Sequence, residues 1–500
     1  MAEHQKPARL PIKPPDVTRQ MAGRLSLYLA LFTFLAMGTG ETFFGLTLSG
    51  LAIACFCYAH PGLVSHYLGQ LTTSTDKEPA SPAISSLSDL QRQAARAGGG
   101  CYLGTTKQGR PIFAPATAAV LVLAGPRAGK TSCVVIPALA AHPGPAVATS
   151  TKREILDATL AVRKRLGQAW FFDLQGEGAP DGTTALRWSP VTRAADWQQA
   201  QLVAEAMTGA STVDADGAHW MERAGALIAC CLHAAARSEQ NMRQVLGWIL
   251  RHDIDAPLEE LGADSIAADV LQGIKHSSDR ERASIYSTAA RVLRAYRSDI
   301  ALAASENPNF DPDTFVTARD TVYIAAPAHQ QALLAPLVVG LLTDIRQAAY
   351  HRHQTHGPAP APVLFLLDEC ANIAPLPDLP PMLSEGGGQG VQAVTVFQDM
   401  SQARRRWHAD ADGMLSLYGA RAILSGIADT KTLEQLSLLC GDWDRPTQSI
   451  TRQSPATLTS TSQASYTESW TTKRQRRLPP DEIAQIPQGQ ALIMVGHRWE

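Results

Sequence analysis

The chain has 500 residues, 45% hydrophobic and 18% charged, with a formal net charge of −2 at pH 7. That length is too great for one compact core and implies two or three domains of ordinary globular composition. The charge excludes a globally basic nucleic-acid binder, so any such contact must come from local basic patches. The eight cysteines (55, 57, 101, 133, 230, 231, 370, 440) form no C-x-x-C pair and have no histidine partners at zinc spacing, which reads as reduced thiols in a cytoplasmic body.

In chain order, the first predicted elements are two apolar runs, LSLYLALFTFLAMGTG (25–40) and TFFGLTLSGLAIACFCYA (42–59), separated by Glu41. As helices they reach about 24 and 27 Å, enough for a thin bilayer core. Lys6, Arg9, Lys13, Arg19 and Arg24 precede them and place the N-terminus on the cytoplasmic side, and two crossings return the rest of the chain there. A cleaved signal peptide also fits the first run but leaves the second unexplained. Residues 72–99, rich in Ser, Ala, Pro and charge, read as a tether.

AVLVLAGPRAGKTSCVV (119–135) then reads as a buried strand, a glycine-rich turn and a helix start. Phosphate binding needs converging backbone N–H groups at a helix N-terminus and one ammonium. The usual spacing is G-x-x-x-x-G-K-[ST], and Ala124 stands where the first glycine belongs. The turn Gly125, Pro126, Arg127, Ala128, Gly129, Lys130, Thr131 and Ser132 is nevertheless the predicted nucleotide cradle, with Lys130 on the terminal phosphates and Thr131 on Mg2+. A chance GKT on a surface turn is the alternative that this motif alone leaves open.

PAVATS (145–150) and AWFFDL (169–174) continue as strands about a helix over KREILDATLAVRKRLG. From about 192 to 308 helix-period segments dominate. Strand rhythm resumes at TVYIAAP (321–327), followed by a helix over 329–350, then APVLFLLDEC (361–370), VQAVTVFQ (391–398) and RAILSG (421–426). An apolar strand ending in Asp368 and Glu369 delivers acids where open α/β sheets build their sites. Asp368 is expected to hold Mg2+ and Glu369 to orient and deprotonate the attacking water. The strand before Lys130 and the strand before Asp368 are expected to lie side by side. Gln398, ending the next strand, is expected to face the same ligand and sense the terminal phosphate. The fold class is therefore α/β: a RecA-like P-loop NTPase domain with an inserted all-α domain and an N-terminal two-helix transmembrane hairpin.

With these parts placed, the chain resembles the coupling-protein ATPases of type IV secretion and conjugation, the TraG/TraD-like family related to the FtsK and HerA motors. The resemblance runs over nearly the whole length. It is carried by YLGTTKQGRPIF (102–113), by VATSTKREILDAT (147–159), similar to the family's S-x-K-x-E segment, and by Trp188-Ser189-Pro190, similar to its W-N-P. HWMERAGALIACCLHAA (219–235), LLDECANIAPLPDLPPMLSEGGGQGVQAVTVFQDMSQ (366–402) and RRLPPDEIAQIPQGQALIMVGHR (476–498) extend it. The resemblance implies a two-pass inner-membrane homo-hexamer that hydrolyses ATP with Mg2+ and recruits a relaxase–DNA complex or a secreted effector to a type IV secretion channel. By motif match Lys130, Glu369 and Gln398 are catalytic, and Thr131 and Asp368 hold the metal. The expected division is 1–20 cytoplasmic segment, 21–60 hairpin, 61–99 linker, 100–191 and 309–500 the two parts of the nucleotide-binding domain, and 192–308 the all-α insert.

The chain departs from many relatives in one place: SEGGGQGV, between the acidic and glutamine motifs, holds no arginine for a trans-acting finger. Arg127, Arg404, Arg405 and Arg421 are the alternatives, and Gly386–Gly388 reads as a mobile loop at a pore or interface. That departure favours a rival function, a non-translocating receptor for cargo; an FtsK-type pump is the third reading. QARRRW (402–407) is DNA-facing or solvated, and TKRQRR (472–477) touches DNA, a neighbouring subunit or nothing. The Ser/Thr-rich tract 447–472 is a surface excursion or disordered, and HRHQTH (351–356), with zinc-like composition, reads as a polar connector rather than a metal site. Cys370 reads as packed against the sheet.

Overall fold

Short apolar runs set the architecture. VLVL, AVATS, AWFF, TVYIA, VLFLL, VQAVTVF and ARAIL are brief and apolar, and most are rich in β-branched residues, the pattern of strands covered on both faces. In the computed structural model, which describes residues 87–211, 215–262, 264–453, 465–496 and 498–499, every one of them is a strand. These residues belong to the unit 83–500. The expected hairpin and most of the tether lie outside the described residues.

A hairpin of β1 (Tyr102–Thr105) and β2 (Pro111–Phe113) comes first. The main sheet is built from β3 (Val120–Leu123), β4 (Ala146–Ser150), β5 (Ala169–Phe172), β6 (Thr184–Ala185), β7 (Thr321–Ala325), β8 (Val363–Leu367), β9 (Val391–Phe397) and β10 (Ala420–Leu424). Beyond a two-stranded ribbon of β11 (Asp442–Gln453) and β12 (Ser465–Arg476), the chain returns with β13 (Ala491–Val495) and β14 (Arg498–Trp499). The ten strands of the sheet run β14-β13-β10-β3-β9-β8-β4-β7-β5-β6. All pairs from β10 to β6 are parallel, and β13 and β14 close one edge antiparallel. The C-terminal ends of the parallel strands therefore share one edge.

Two of the sequence expectations about the sheet need correction. The phosphate-loop strand β3 and the acidic strand β8 are not neighbours: β9 lies between them. A parallel strand needs a crossover before it can pair, so sequence order does not fix sheet order. Gly386–Gly388 is not a mobile loop but part of a 3-10 turn, Gly386–Gln389, in which a Cβ at Gly387 would lie 1.8 Å from the Thr117 carbonyl oxygen. The backbone there packs on the entry to β3, and only glycine permits that approach.

Between β6 and β7 the described residues form helices and turns without a strand: Trp197–Gly209, Ala215–Arg237, Met242–Arg251, Asp255–Leu261, Ile266–Lys275, Asp279–Val292, Asp299–Ala303 and Pro312–Thr317. Their starts are written locally. Asp196, Asn241, Ser265, Ser278, Ser298 and Asp311 each accept hydrogen bonds from backbone N–H groups of the first turn. Cys230 and Cys231 are fully buried in the longest of these helices.

These helices dock on Gln331–His356, the only helix among the described residues long and apolar enough to cross a membrane; 83% of its apolar window is buried inside the fold. Trp188 is buried against it and donates Nε1 to Asp344 Oδ2 at 2.8 Å. Gly340 makes room for that ring, since a Cβ there would sit 2.8 Å from Trp188. The same helix absorbs HRHQTH, expected as a connector, and ends only at Gly357 with φ 74°. No group of three or more metal-type side chains occurs among the described residues.

At the opposite edge of the sheet the fully buried Arg163 donates to the carbonyls of His142, Gly144 and Arg319 and to the Thr321 hydroxyl. It ties the entries to β4 and β7 together. Burial lowers its pKa to about 10.

Candidate active site

The turn after β3 is shaped by two close approaches. Ala124 is fully buried and donates its N–H to Phe397 O at 3.1 Å, continuing the strand, so the missing first glycine costs nothing there. Gly125 donates to Ser425 O at 3.0 Å, and a Cβ on it would meet Gly426 O at 2.3 Å. Glycine is required one residue later than the usual spacing puts it. Gly129 takes φ 85°, and Arg127 holds φ 61° at the exposed tip. Left-handed backbone at a non-glycine costs of order 1 kcal/mol and clusters at functional sites.

The helix that follows, Thr131–Ala141, opens with π-type hydrogen bonding over Thr131–Val135, Ile136 N–H donating to Thr131 O. Pro137 explains this: it has no N–H for the Cys133 carbonyl, and a widened turn is one way to absorb the loss. The result sets Lys130 and Thr131 at the lip of the sheet.

Lys130 Nζ lies 2.6 Å from Glu369 Oε1 and 3.3 Å from Asp368 Oδ1. The Thr131 hydroxyl lies 3.4 Å from Asp368 Oδ2. Strands spaced about 4.8 Å apart leave roughly 10 Å between β3 and β8, a gap that the turn after β3 and the Lys130 side chain bridge together. Asp368 is 4% exposed; its carboxylate accepts from the Glu369 N–H at 3.1 Å, and its carbonyl from the Thr149 hydroxyl at 2.9 Å. Burial and the adjacent Glu369 raise its pKa, against the pull of Lys130. Burial acts to lower the Lys130 pKa, but the two acids outweigh it and the net shift is upward. Glu369 itself holds left-handed backbone, φ 53° and ψ 43°. Left-handed backbone of this kind clusters at functional sites, and here it sits on the second acid.

The other expected residues fall around this centre. Gln398 is the first residue past β9 and half-buried; its N–H donates to Gln402 Oε1 at 3.0 Å, and its side chain makes no hydrogen bond to Lys130, Asp368 or Glu369. Ser132 donates its hydroxyl to Gly129 O. Pro126 is exposed, and Ala128 is buried beneath the turn. Cys370 is fully buried, and burial raises its pKa, so it is no nucleophile.

Among the finger alternatives, Arg421 is buried and donates to Leu415 O, and Arg404 pairs with Asp429. Arg127 and Arg405 are exposed and make no ion pair among the described residues. QARRRW is largely structural: Arg406 donates to Gly209 O and Pro375 O, and Trp407 to Leu376 O. Arg474 and Arg476 of TKRQRR pair with Asp442.

Sequence reasoning missed Gly426, Ser425, Thr149 and Asn372, whose Nδ2 lies 3.5 Å from Glu369 Oε2. Gly426, closing the RAILSG run, carried a readable signal, because glycine at a strand end often marks a close backbone approach.

The family model for conjugative DNA transfer of the type IV secretory system matches residues 83–498. The chain belongs to that family. Similar solved structures are of the bacterial conjugative coupling protein TrwB. The unbound monoclinic form of TrwBdeltaN70 has a TM-score of 0.59 at 15% identity, covering 82% of this chain and 88% of that one. The complex of TrwB with the non-hydrolysable ATP analogue ADPNP gives 0.59 at 16% identity, over 81% and 89%. The complex with ADP and Mg2+ gives 0.56 at 16% identity, over 81% and 90%. No curated protein sequence matches the chain. Within this conjugative DNA transfer family the large parallel-rich sheet of the present chain is thus the shared architecture.

Proposed function

We propose that this member of the conjugative DNA transfer family is an ATPase coupling protein whose nucleotide site is the lip of β3, β9 and β8. The observation that carries the reading is the convergence of one ammonium and two carboxylates from segments 238 and 239 residues apart (368 − 130 and 369 − 130) within 3.3 and 2.6 Å. The residues fit Mg·ATP: a glycine turn at a helix start suits phosphate oxygens, and the Thr131 hydroxyl facing the Asp368 carboxylate is a hard oxygen pair of the kind Mg2+ takes. Bound Mg·ATP supplies the phosphoanhydride to be cleaved and the charge that the site must neutralise.

On this reading Lys130 exchanges its acid partners for the terminal phosphates. Thr131 and Asp368 hold the metal. Glu369, released from Lys130, orients a water and accepts its proton. Gln398 senses the terminal phosphate across the end of β9. Arg127 and Arg405 are the remaining finger candidates, because Arg404 and Arg421 already have partners. The domain division follows: 100–191 and 309–500 build the nucleotide-binding domain, and 192–308 is the helical insert. By family resemblance we further assign a homo-hexamer at the inner membrane, anchored by residues 21–60, that handles DNA with a relaxase or secreted effector at the secretion channel.

The test is phosphate release by the full-length protein with Mg·ATP. Lys130→Ala is expected to lower kcat/KM at least about a hundredfold. Glu369→Gln is expected to retain ATP affinity and lose turnover. Turnover unaffected by either change would overturn the assignment. The receptor reading is favoured by one observation, the absence of an arginine from SEGGGQGV; it predicts that Glu369→Gln leaves DNA transfer in cells intact, whereas the motor reading predicts its loss.

A further inference from the structure

A second cleft lies beside the nucleotide lip, between the helix Asp279–Val292 with its 3-10 continuation Leu293–Arg297, the first turns of Gln331–His356, and the short helix Cys370–Ile373 that follows the acid pair. Its volume is about 480 Å³. Arg291, Arg294 and Arg406 line it, and no described aspartate or glutamate does. None of the three makes an ion pair among the described residues. Arg294 Nη2 donates to Ala332 O at 2.9 Å, the carbonyl that Pro336, four residues on, cannot satisfy. Arg406 gives Nη2 to two backbone carbonyls and keeps a buried Nε without a partner. Three guanidinium groups facing one concavity with no carboxylate among the described lining residues favour an anion there, and the partly desolvated Arg406 gains from one.

We propose that this cleft binds an acidic peptide segment of a partner protein. The rest of the lining favours peptide over nucleic acid. It is mostly alanine and proline, with Ser211, Gln331 and Asn372 and no aromatic ring, so it offers no ring for a base to stack on, which single-strand sites rely on. The Gln331 and Asn372 amides keep acceptor oxygens toward a ligand while their Nε2 and Nδ2 also face Ala326 O and Glu369, and an acceptor suits a peptide N–H and not a phosphodiester. Arginine clusters over such a floor are a recurring acidic-motif receptor. Asn372 also contacts Glu369, so a bound peptide that takes its amide alters turnover; this consequence rests on the hydrolytic reading above, whereas binding does not.

The experiment is fluorescence anisotropy of the full-length protein with fluorescein-labelled hexaglutamate, hexaglutamine and a labelled dT20 oligonucleotide. Hexaglutamate is expected to bind and hexaglutamine not. Arg291→Ala with Arg294→Ala is expected to raise the hexaglutamate Kd about tenfold or more, two charge-assisted contacts being lost. Arg291→Glu, a single exposed change that leaves the Ala332 contact intact, is expected to do the same. The charge-matched pair Arg165→Ala with Arg237→Ala is expected to change nothing. Hexaglutamate that fails to bind, binds the Arg291 variants equally, or weakens equally with the control pair overturns the proposal. So does selective loss of dT20, which would make the cleft a nucleic-acid site. Lys130→Ala is expected to bind hexaglutamate normally, so a failed ATPase assignment and a failed peptide site give different results.

Discussion

Asp344 offers the most quantitative test of the packing between the helices and the sheet domain. It is 1% exposed, and burial raises its pKa from 3.8 to about 6, against the pull of the Trp188 hydrogen bond and Arg193. A carboxyl whose folded pKa is raised binds its proton more tightly in the native state. Its stabilising contribution is therefore complete below 3.8 and is lost as pH rises through about 6. Above that range the ionised group costs about 3 kcal/mol, and at pH 5 roughly half of that. Asp344→Asn keeps an oxygen for the Trp188 N–H and removes the titration. With an unfolding entropy of about 2.1 cal/mol/K per residue over some 400 residues, 3 kcal/mol corresponds to a Tm about 3.5 °C higher at pH 8. Thermal melts of both proteins at pH 5 and pH 8 check this, with the gain expected to shrink to about half at pH 5. A Tm difference that does not depend on pH, or a variant less stable at pH 8, refutes the reasoning.

Other expectations follow from features at both edges of the sheet. Gly387→Ala is expected to cost about 1–3 kcal/mol, since its Cβ would overlap the Thr117 carbonyl, and to lower the Tm at any pH. Arg163→Met leaves the carbonyls of His142, Gly144 and Arg319 buried without their donor and is expected to cost at least about 3 kcal/mol, measured by urea titration. Cys133 is the exposed thiol among the described cysteines and lies three residues past Lys130. Its alkylation by N-ethylmaleimide, mapped by mass spectrometry, is expected to slow about tenfold or more with Mg·ATP, and an unchanged rate would place the nucleotide elsewhere.

The strands were legible because their signals are local. VLFLLDEC announces a buried strand that ends in acids, and the structure has β8 there. Lys130 and Asp368 were legible as partners because each closes an apolar strand with chemistry that suits one ligand. Strand order was not legible, since nothing local in β3 or β8 records that β9 separates them. The helix through HRHQTH was obscured by polar composition: its exposed last turns bear no apolar stripe, and only Gly357 marks the stop. The contacts of Gly387 with Thr117 and of Gly125 with Gly426 join distant backbone segments, and a glycine in sequence does not name the atom it must approach.

The sheet has a consequence for how the protein is made. β3 pairs with β9 and β10, so the strand that launches the phosphate turn has no neighbour until 268 more residues have left the ribosome (391 − 123), and no second one until 297 have (420 − 123). The helices between β6 and β7 have partners close by in sequence and can gather first. A growing chain thus carries a nearly complete helical body while Lys130 still lacks Asp368 and Glu369 across the lip. The proposed nucleotide site is completed only when synthesis is nearly over, and β3 presents open apolar edges during the interval.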